Sequence, residues 1–172
     1  MPIRFLSREA SERRLQAAHL IVRDAEVFIC NDIYGARRAS IAFDVNKHWD
    51  ITAAITSILG VWNESFIYLS GWSIWSDDEV ARSRLQNLRT SLGETKSLAD
   101  VPGHLFDWDV REKFSELLFM SIRAGWDTCI VATHRPMVVF TSHEGVVEIW
   151  CQTQAALAEV KLNLQGMKMT SD

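Results

Sequence analysis

The chain has 172 residues, a length that suits one domain with a core large enough to fold without metal or disulfide staples. Hydrophobic residues make up 48% and charged residues 23%, a balance that excludes an intrinsically disordered chain. The net charge is −4 and no run of Lys or Arg is present, which argues against nucleic acid as a direct ligand. We therefore expect one folded domain over residues 1–172, with a frayed tail over 165–172.

The first part of the chain predicts a helix followed by two strands. Residues 8–22 change from charged to apolar at helical spacing, and Ser7 is a candidate N-cap. Residues 26–30 and 39–45 are rich in β-forming residues, and the second run alternates apolar and polar positions. Turn-prone residues separate the two runs, which predicts a β-hairpin with a long loop.

The next part predicts two helices on either side of a strand. Asp50 is a candidate N-cap for a helix whose isoleucines follow at helical spacing, and residues 65–70 predict a strand. Ser76 and Glu79 have the spacing of a capping box, in which each side chain bonds the other residue's backbone amide. The leucines that follow lie on one helical stripe, and Gly93 supplies the stop.

The second half predicts another helix after a loop over residues 94–106. Asp109 and Glu112 repeat the capping pattern, and Gly125 ends the helix. Phe119 and Met120 widen its apolar arc, so we expect this helix to be covered on more than one side.

The C-terminal part predicts three strands and a last helix. The strands are expected over residues 127–133, 137–141 and 146–151, with turns short enough for antiparallel neighbours, and the helix over 152–164. Strands grouped apart from the helices favour the α+β class. We predict an antiparallel or mixed sheet with a C-terminal three-strand meander, packed by helices.

Sequence motifs of the common catalytic and cofactor sites are missing, since no GxGxxG, Walker phosphate loop, HExxH or GxSxG is present. No histidine lies four residues from another, so a helix-borne metal pair is excluded. A zinc site assembled from His104, His143 and a cysteine stays open as an alternative. We therefore assign no catalytic residue, no metal and no cofactor.

The segment Ser142-His143-Glu144 has two interpretations. Adjacent residues rarely supply a catalytic triad, because nucleophile, base and orienting group must converge from separate places. The structural interpretation is a tight turn between two strands, in which the Ser hydroxyl bonds local backbone and Gly145 takes a positive φ. We favour the turn.

Cysteine usage and hydropathy bear on the compartment. Cys30, Cys129 and Cys151 lie far apart without a CxxC pair, which predicts reduced, buried thiols and a reducing compartment. The N-terminus lacks the apolar stretch of a signal peptide, and no apolar run has the length of a membrane span. We expect a cytoplasmic protein without a membrane partner.

The excess of tryptophan, seven residues in all, and two groups of acidic residues suggest a partner surface. Both features also have a structural explanation, because large aromatic residues are mostly buried and acidic residues stabilise helix N-termini. If the two helix starts share an edge, the acidic groups would form one patch for a basic partner. The candidate partner-binding residues are Trp72, Trp75, Asp77, Asp78, Glu79, Asp107 and Asp109.

Residues 125–150 carry a resemblance to known proteins. Gly125-Trp126-Asp127 opens the stretch, two strands and Ser142-His143-Glu144-Gly145 follow, and an apolar strand ends at Trp150. A helix that leads into such a meander resembles small bacterial immunity-type proteins, which sit in the cytoplasm and block a toxin by binding it. The resemblance covers roughly one sixth of the chain, is architectural, and carries no functional residue over to this sequence.

Three hypotheses follow. The leading one is a cytoplasmic immunity or antitoxin-like protein that neutralises a toxin or effector by occlusion. The second is a small enzyme that uses His104 and His143 with an acid such as Asp127 or Glu144, which requires these residues to converge in one pocket. The third is a homo-oligomeric interaction module, because exposed Trp residues also serve self-association.

Overall fold

The structure is a computed structural model of the chain, and the residues it describes are 3–23, 26–43, 47–61, 63–70, 79–133 and 135–165. Their helices and strands, in chain order, are β1 (Ile3–Leu6), α1 (Arg8–Ala17), β2 (Leu20–Arg23), β3 (Glu26–Ile29), α2 (Asn31–Tyr34), β4 (Arg38–Ala42), α3 (His48–Leu59), β5 (Glu64–Ser70), α4 (Glu79–Ser91), β6 (Gly103–Asp107), a 3-10 helix (Trp108–Val110), α5 (Arg111–Arg123), β7 (Asp127–Ala132), β8 (Met137–Thr141), β9 (Val146–Cys151) and α6 (Gln154–Asn163).

Seven of the strands form one antiparallel sheet in the order β1-β6-β5-β7-β8-β9-β4. The predicted α+β class is confirmed, and so is the C-terminal meander, because β7, β8 and β9 pair consecutively. β2 and β3 form a separate two-stranded sheet.

Both faces of the large sheet are covered, each by a different set of elements. Alternate residues of the strands point to opposite faces, as the two-residue period of a strand requires. One face, with Ile67 and Ile130, joins α3, α5 and α6 in the larger core. The other face, with Phe66 and Cys129, packs against α1, α2 and the β2–β3 hairpin in a smaller core. The sheet is therefore the middle layer of three.

The predicted helix over residues 8–22 is wrong in its last five residues. α1 ends at Ala17, and His19 takes a positive φ of 60°, which a helix does not tolerate. The β-branched residues after it then form β2, which pairs with β3. Ser7 does cap α1, because its side chain accepts a hydrogen bond from the Ala10 amide.

The predicted hairpin between residues 26–30 and 39–45 is also wrong, because β3 pairs with β2 whereas β4 pairs with β9. α2 occupies the intervening segment. Its Tyr34 is fully buried and donates a hydrogen bond from the hydroxyl to the Ala18 carbonyl, which fixes α2 under α1. The long-range partner of β4 leaves no trace in local sequence.

The expected loop over residues 94–106 ends in a strand, β6, that pairs with both β1 and β5. β1 is likewise absent from the elements that the sequence predicts. β6 opens with Gly103 and is buried on both faces over its first four residues, so it lacks the alternation of a half-buried strand. Its place in the sheet comes from its two neighbours.

Helix starts differ from the expected caps at two places. α3 begins at His48, so Asp50 lies within its first turn. Asp109 makes no capping hydrogen bond, because a 3-10 turn precedes α5 and Val110 occupies the N-cap position. Ser76 lies outside the described residues, whereas Gly125 follows the end of α5 as predicted and has a positive φ of 66°.

The cysteines in the structure are all free thiols. Cys129 and Cys151 are buried as predicted, whereas Cys30 is only half-buried. Burial raises the pKa of the Cys151 thiol to about 11, and it raises that of Cys129 further, so both thiols are protonated. Among the described residues, no helix is both long and apolar enough to cross a membrane.

Candidate protein-binding surface

An exposed aromatic pair lies on the face of the molecule that α3, α4 and α5 form, which we call the helical face. Trp49, in the first turn of α3, stacks on Phe119 of α5 with ring centroids 3.9 Å apart and an interplanar angle of 17°. The ring of His48 meets Phe119 edge-on at 6.3 Å. Even with this contact, Trp49 remains 61% exposed. The wide apolar arc of α5 predicted that this helix is covered on more than one side. Trp49 supplies part of that cover and is itself exposed to solvent.

A groove of about 730 Å³ runs between α4 and α5 on one side of Trp49. Its apolar part comes from Trp49, Phe119 and Met120. Arg84 of α4 and the ion pair of Lys113 with Glu116, at 2.8 Å, supply its charges. We call it the α4–α5 groove.

A second groove, of about 590 Å³, lies on the other side of Trp49, along α3. Small side chains and glycine line its α3 side, and the indoles of Trp49 and Trp108 both line it. None of the described residues that line it is charged. Val61, just beyond α3, is 76% exposed beside it, so this α3 groove offers an apolar surface accessible to a partner.

Four of the seven candidate residues from the sequence, Trp72, Trp75, Asp77 and Asp78, lie outside the described residues. Glu79 is the exposed first residue of α4. The end of α4 lies beside the start of α5, because Leu92 and Lys113 line the same small cavity. The two helices are therefore antiparallel, and Glu79 does not share an edge with Asp109.

Asp107 is the last residue of β6. It lies on the face of the sheet that packs against α1, opposite to the face that packs against α3, α5 and α6. Arg4 reaches its carboxylate at 3.7 Å and also pairs with Glu64, which in turn accepts from Arg14 of α1 at 2.7 Å. Burial raises the pKa of Glu64, but the hydrogen bonds from Arg14 and Arg4 outweigh this effect and lower it. This network joins β1, β5, β6 and α1, so Asp107 already has a structural partner.

The turn at residues 142–145 has the predicted geometry. The Ser142 hydroxyl accepts from the Glu144 amide at 3.1 Å, and Gly145 has a φ of 75°. Asp127 accepts from the backbone amide of His143 at 2.8 Å and lies 2.9 Å from its Nδ1. The carboxylate therefore holds the turn through two contacts.

His104 and His143 do not converge. His104 pairs across β6 and β5 with Ile67, so its ring points into the larger core, where it is 1% exposed. Asp127 precedes Cys129 by two residues and therefore faces the other side of the sheet. The pocket required by the enzyme hypothesis, and the zinc site from the same histidines, are absent from the described residues.

Searches against protein-family models, curated proteins and solved structures find no match to this chain. The surface around Trp49 therefore rests on geometry alone. No motif or cluster in the sequence singles out Trp49, because an apolar side chain at a helix start resembles an ordinary core position. The available signal was the pairing of a wide apolar arc on α5 with an unassigned Trp at the start of α3.

Proposed function

We propose that the chain is a protein-binding domain, in particular a cytoplasmic immunity-type protein that neutralises a toxin or effector by occluding it. The stacked pair Trp49–Phe119, exposed between two grooves, is the observation that carries this proposal. Aromatic residues at the centre of an interface supply much of the binding energy, and the surrounding contacts exclude water.

The pair suits this role because its rings are already in contact before any partner binds. Binding normally costs about 0.5–1.5 kcal/mol for each side chain that it immobilises. Trp49 is held by Phe119, so this cost is reduced. A partner residue that covers the free side of the indole would then gain most of the energy of its burial.

The charges around the grooves suggest the chemistry of the partner. Arg84 makes no ion pair within the described residues, whereas Lys113 and Glu116 neutralise one another. The described lining of the α3 groove is uncharged. The proposed partner segment therefore carries an apolar side chain for the α3 groove and a carboxylate for Arg84, a preference opposite to that expected from the acidic residues of the sequence.

Two measurements test the proposal: protection of cells against the toxin, and co-purification of the chain with the toxin. A toxin gene adjoining this gene is expressed with the wild-type chain, with Trp49→Ala, and with Phe28→Ala as a matched control. Phe28 is an aromatic residue 45% exposed on the β2–β3 hairpin, away from the helical face. We expect wild type and Phe28→Ala to protect and to co-purify with the toxin, and Trp49→Ala to lose at least tenfold in affinity.

Two outcomes contradict the proposal. If the wild-type chain neither binds nor protects, the toxin-neutralising function is wrong. If Phe28→Ala loses binding and Trp49→Ala keeps it, the binding surface is the hairpin and the assignment of the helical face is wrong.

Light scattering of the chain alone, up to millimolar concentration, tests the alternative that the chain is a homo-oligomeric module. If that alternative holds, the wild type forms a dimer and Trp49→Ala abolishes it.

A further inference from the structure

A small, partly open cavity lies between β1, α4, β6 and α5, at the edge of the larger core. Its volume is about 10 Å³, at the lower end of the roughly 10–15 Å³ that a cavity needs to hold one water molecule. Most of its lining is aliphatic or aromatic. The exceptions are three basic residues, Arg89, His104 and Lys113, and none of the described residues around it contributes a carboxylate.

Three polar atoms at this place are buried without a hydrogen-bond partner among the described residues: Nε of Arg89 and both ring nitrogens of His104. Both side chains are 1% exposed. The other guanidinium nitrogens are engaged, because Nη1 donates to the Lys96 carbonyl at 3.1 Å and Nη2 to that of Val101 at 2.9 Å. Such orphaned atoms cost free energy unless a further group satisfies them.

We propose that this cavity binds one water molecule, which accepts a hydrogen bond from Nε of Arg89 and donates one to the unprotonated ring nitrogen of His104. A neutral imidazole offers one donor and one acceptor, whereas the free guanidinium nitrogen only donates. Water complements both groups at once. An anion would satisfy the donors alone and would leave the unprotonated ring nitrogen of His104 without a donor.

The charge state of the ring agrees with this assignment. Burial lowers the pKa of His104, the nearby Arg89 guanidinium lowers it further, and the resulting value is about 3. The backbone of Pro102 and of Ile67 faces the ring and partly offsets the effect, although neither makes a hydrogen bond of ordinary geometry with it. Lys113 pairs with Glu116 and does not supply a carboxylate to the site.

The experiment counts long-lived internal water molecules by magnetic relaxation dispersion of water oxygen-17 in the wild type, in His104→Phe and in the control His143→Phe. The larger phenyl ring fills the cavity and keeps the edge contact of residue 104 with Phe5, at 5.6 Å in the wild type. We expect one long-lived water fewer in His104→Phe and no change in the control, whose histidine lies in an exposed turn.

An equal count in wild type and His104→Phe overturns the proposal. So does a thermal midpoint that rises in sodium chloride relative to sodium fluoride at equal ionic strength, because that result identifies a bound anion. If His104→Phe does not fold, water-to-protein Overhauser transfer to the His104 and Phe5 ring protons of the wild type decides. Transfer supports the site, and its absence removes it.

Discussion

Trp49 stacks on Phe119 at a centroid distance of 3.9 Å and thereby joins the start of α3 to the middle of α5. Stacked aromatic pairs contribute about 0.5–1.5 kcal/mol beyond the area that they bury. A double-mutant cycle with Trp49→Ala and Phe119→Ala should give a coupling energy in this range. The measurement is urea unfolding of the four proteins. A coupling energy of zero would show that the two rings do not interact in solution.

A second prediction concerns Arg135, which closes the C-terminal end of α3. Its Nε donates to the Leu59 carbonyl at 2.6 Å and its Nη2 to that of Ile58 at 3.3 Å, so it satisfies carbonyls that the helix leaves unpaired. Arg135→Ala should lower the free energy of unfolding by about 1–3 kcal/mol, because charged hydrogen bonds and the helix dipole are both lost.

The matched control for Arg135 is Arg13→Ala. Arg13 pairs with Glu9 on the exposed side of α1, where an ion pair contributes at most about 0.5 kcal/mol. Urea unfolding of both variants compares them directly. Equal losses at the two positions would contradict the capping role of Arg135.

A third prediction concerns Gly103, where β6 passes under α1. A Cβ at this position would clash with the Ser11 hydroxyl and lie 2.8 Å from a ring carbon of Phe66. Both neighbours are fully buried and cannot move away. Gly103→Ala should destabilise the fold by about 1–3 kcal/mol, the usual cost of overpacking.

Gly125→Ala separates this crowding from backbone strain. Gly125 has a φ of 66° with open space where a Cβ would lie, so alanine there costs only the roughly 1–2 kcal/mol of the left-handed conformation. Adding Ser11→Ala should recover part of the loss in Gly103→Ala and none of the loss in Gly125→Ala. Recovery in neither variant would rule out the clash with Ser11.

Local patterns in the sequence predicted those parts of the fold that depend on local contacts. The meander from β7 to β9 follows from alternating residues and short turns, and the helical stripe of α4 from its leucines. β6 was not predicted, because both of its faces are buried and its residues therefore do not alternate between apolar and polar. The pairing of β4 with β9 joins segments about 110 residues apart, and no local pattern encodes such a partner.

The candidate surface was less predictable than the fold for a related reason. The sequence indicated clustered acidic residues, such as Asp107 and Asp109, as a partner surface. In the structure Asp107 pairs with Arg4, and Glu79 lies at the opposite end of the antiparallel α4–α5 pair from Asp109. Trp49 lies in the first turn of α3, which begins before the expected cap at Asp50, and its indole stacks on Phe119.

The last prediction is a pH dependence of stability that originates at His104. Burial and the neighbouring Arg89 lower the pKa of His104 from its ordinary value of 6.5 to about 3 in the folded chain. Between these two values the unfolded chain binds a proton that the folded chain excludes. The free energy of unfolding therefore falls as the pH falls below 6.5, by at most about 1.4 kcal/mol per pH unit.

The window from pH 6.5 to 4.5 separates this effect from the contribution of Glu64. The pKa of Glu64 is lowered on balance, so its contribution to stability is lost only below its ordinary value of 4.5. Urea unfolding of the wild type should show the decline in this window, and His104→Phe should show a nearly flat profile. A decline of equal slope in both proteins would assign the pH dependence to other groups, because a phenyl ring cannot bind the proton.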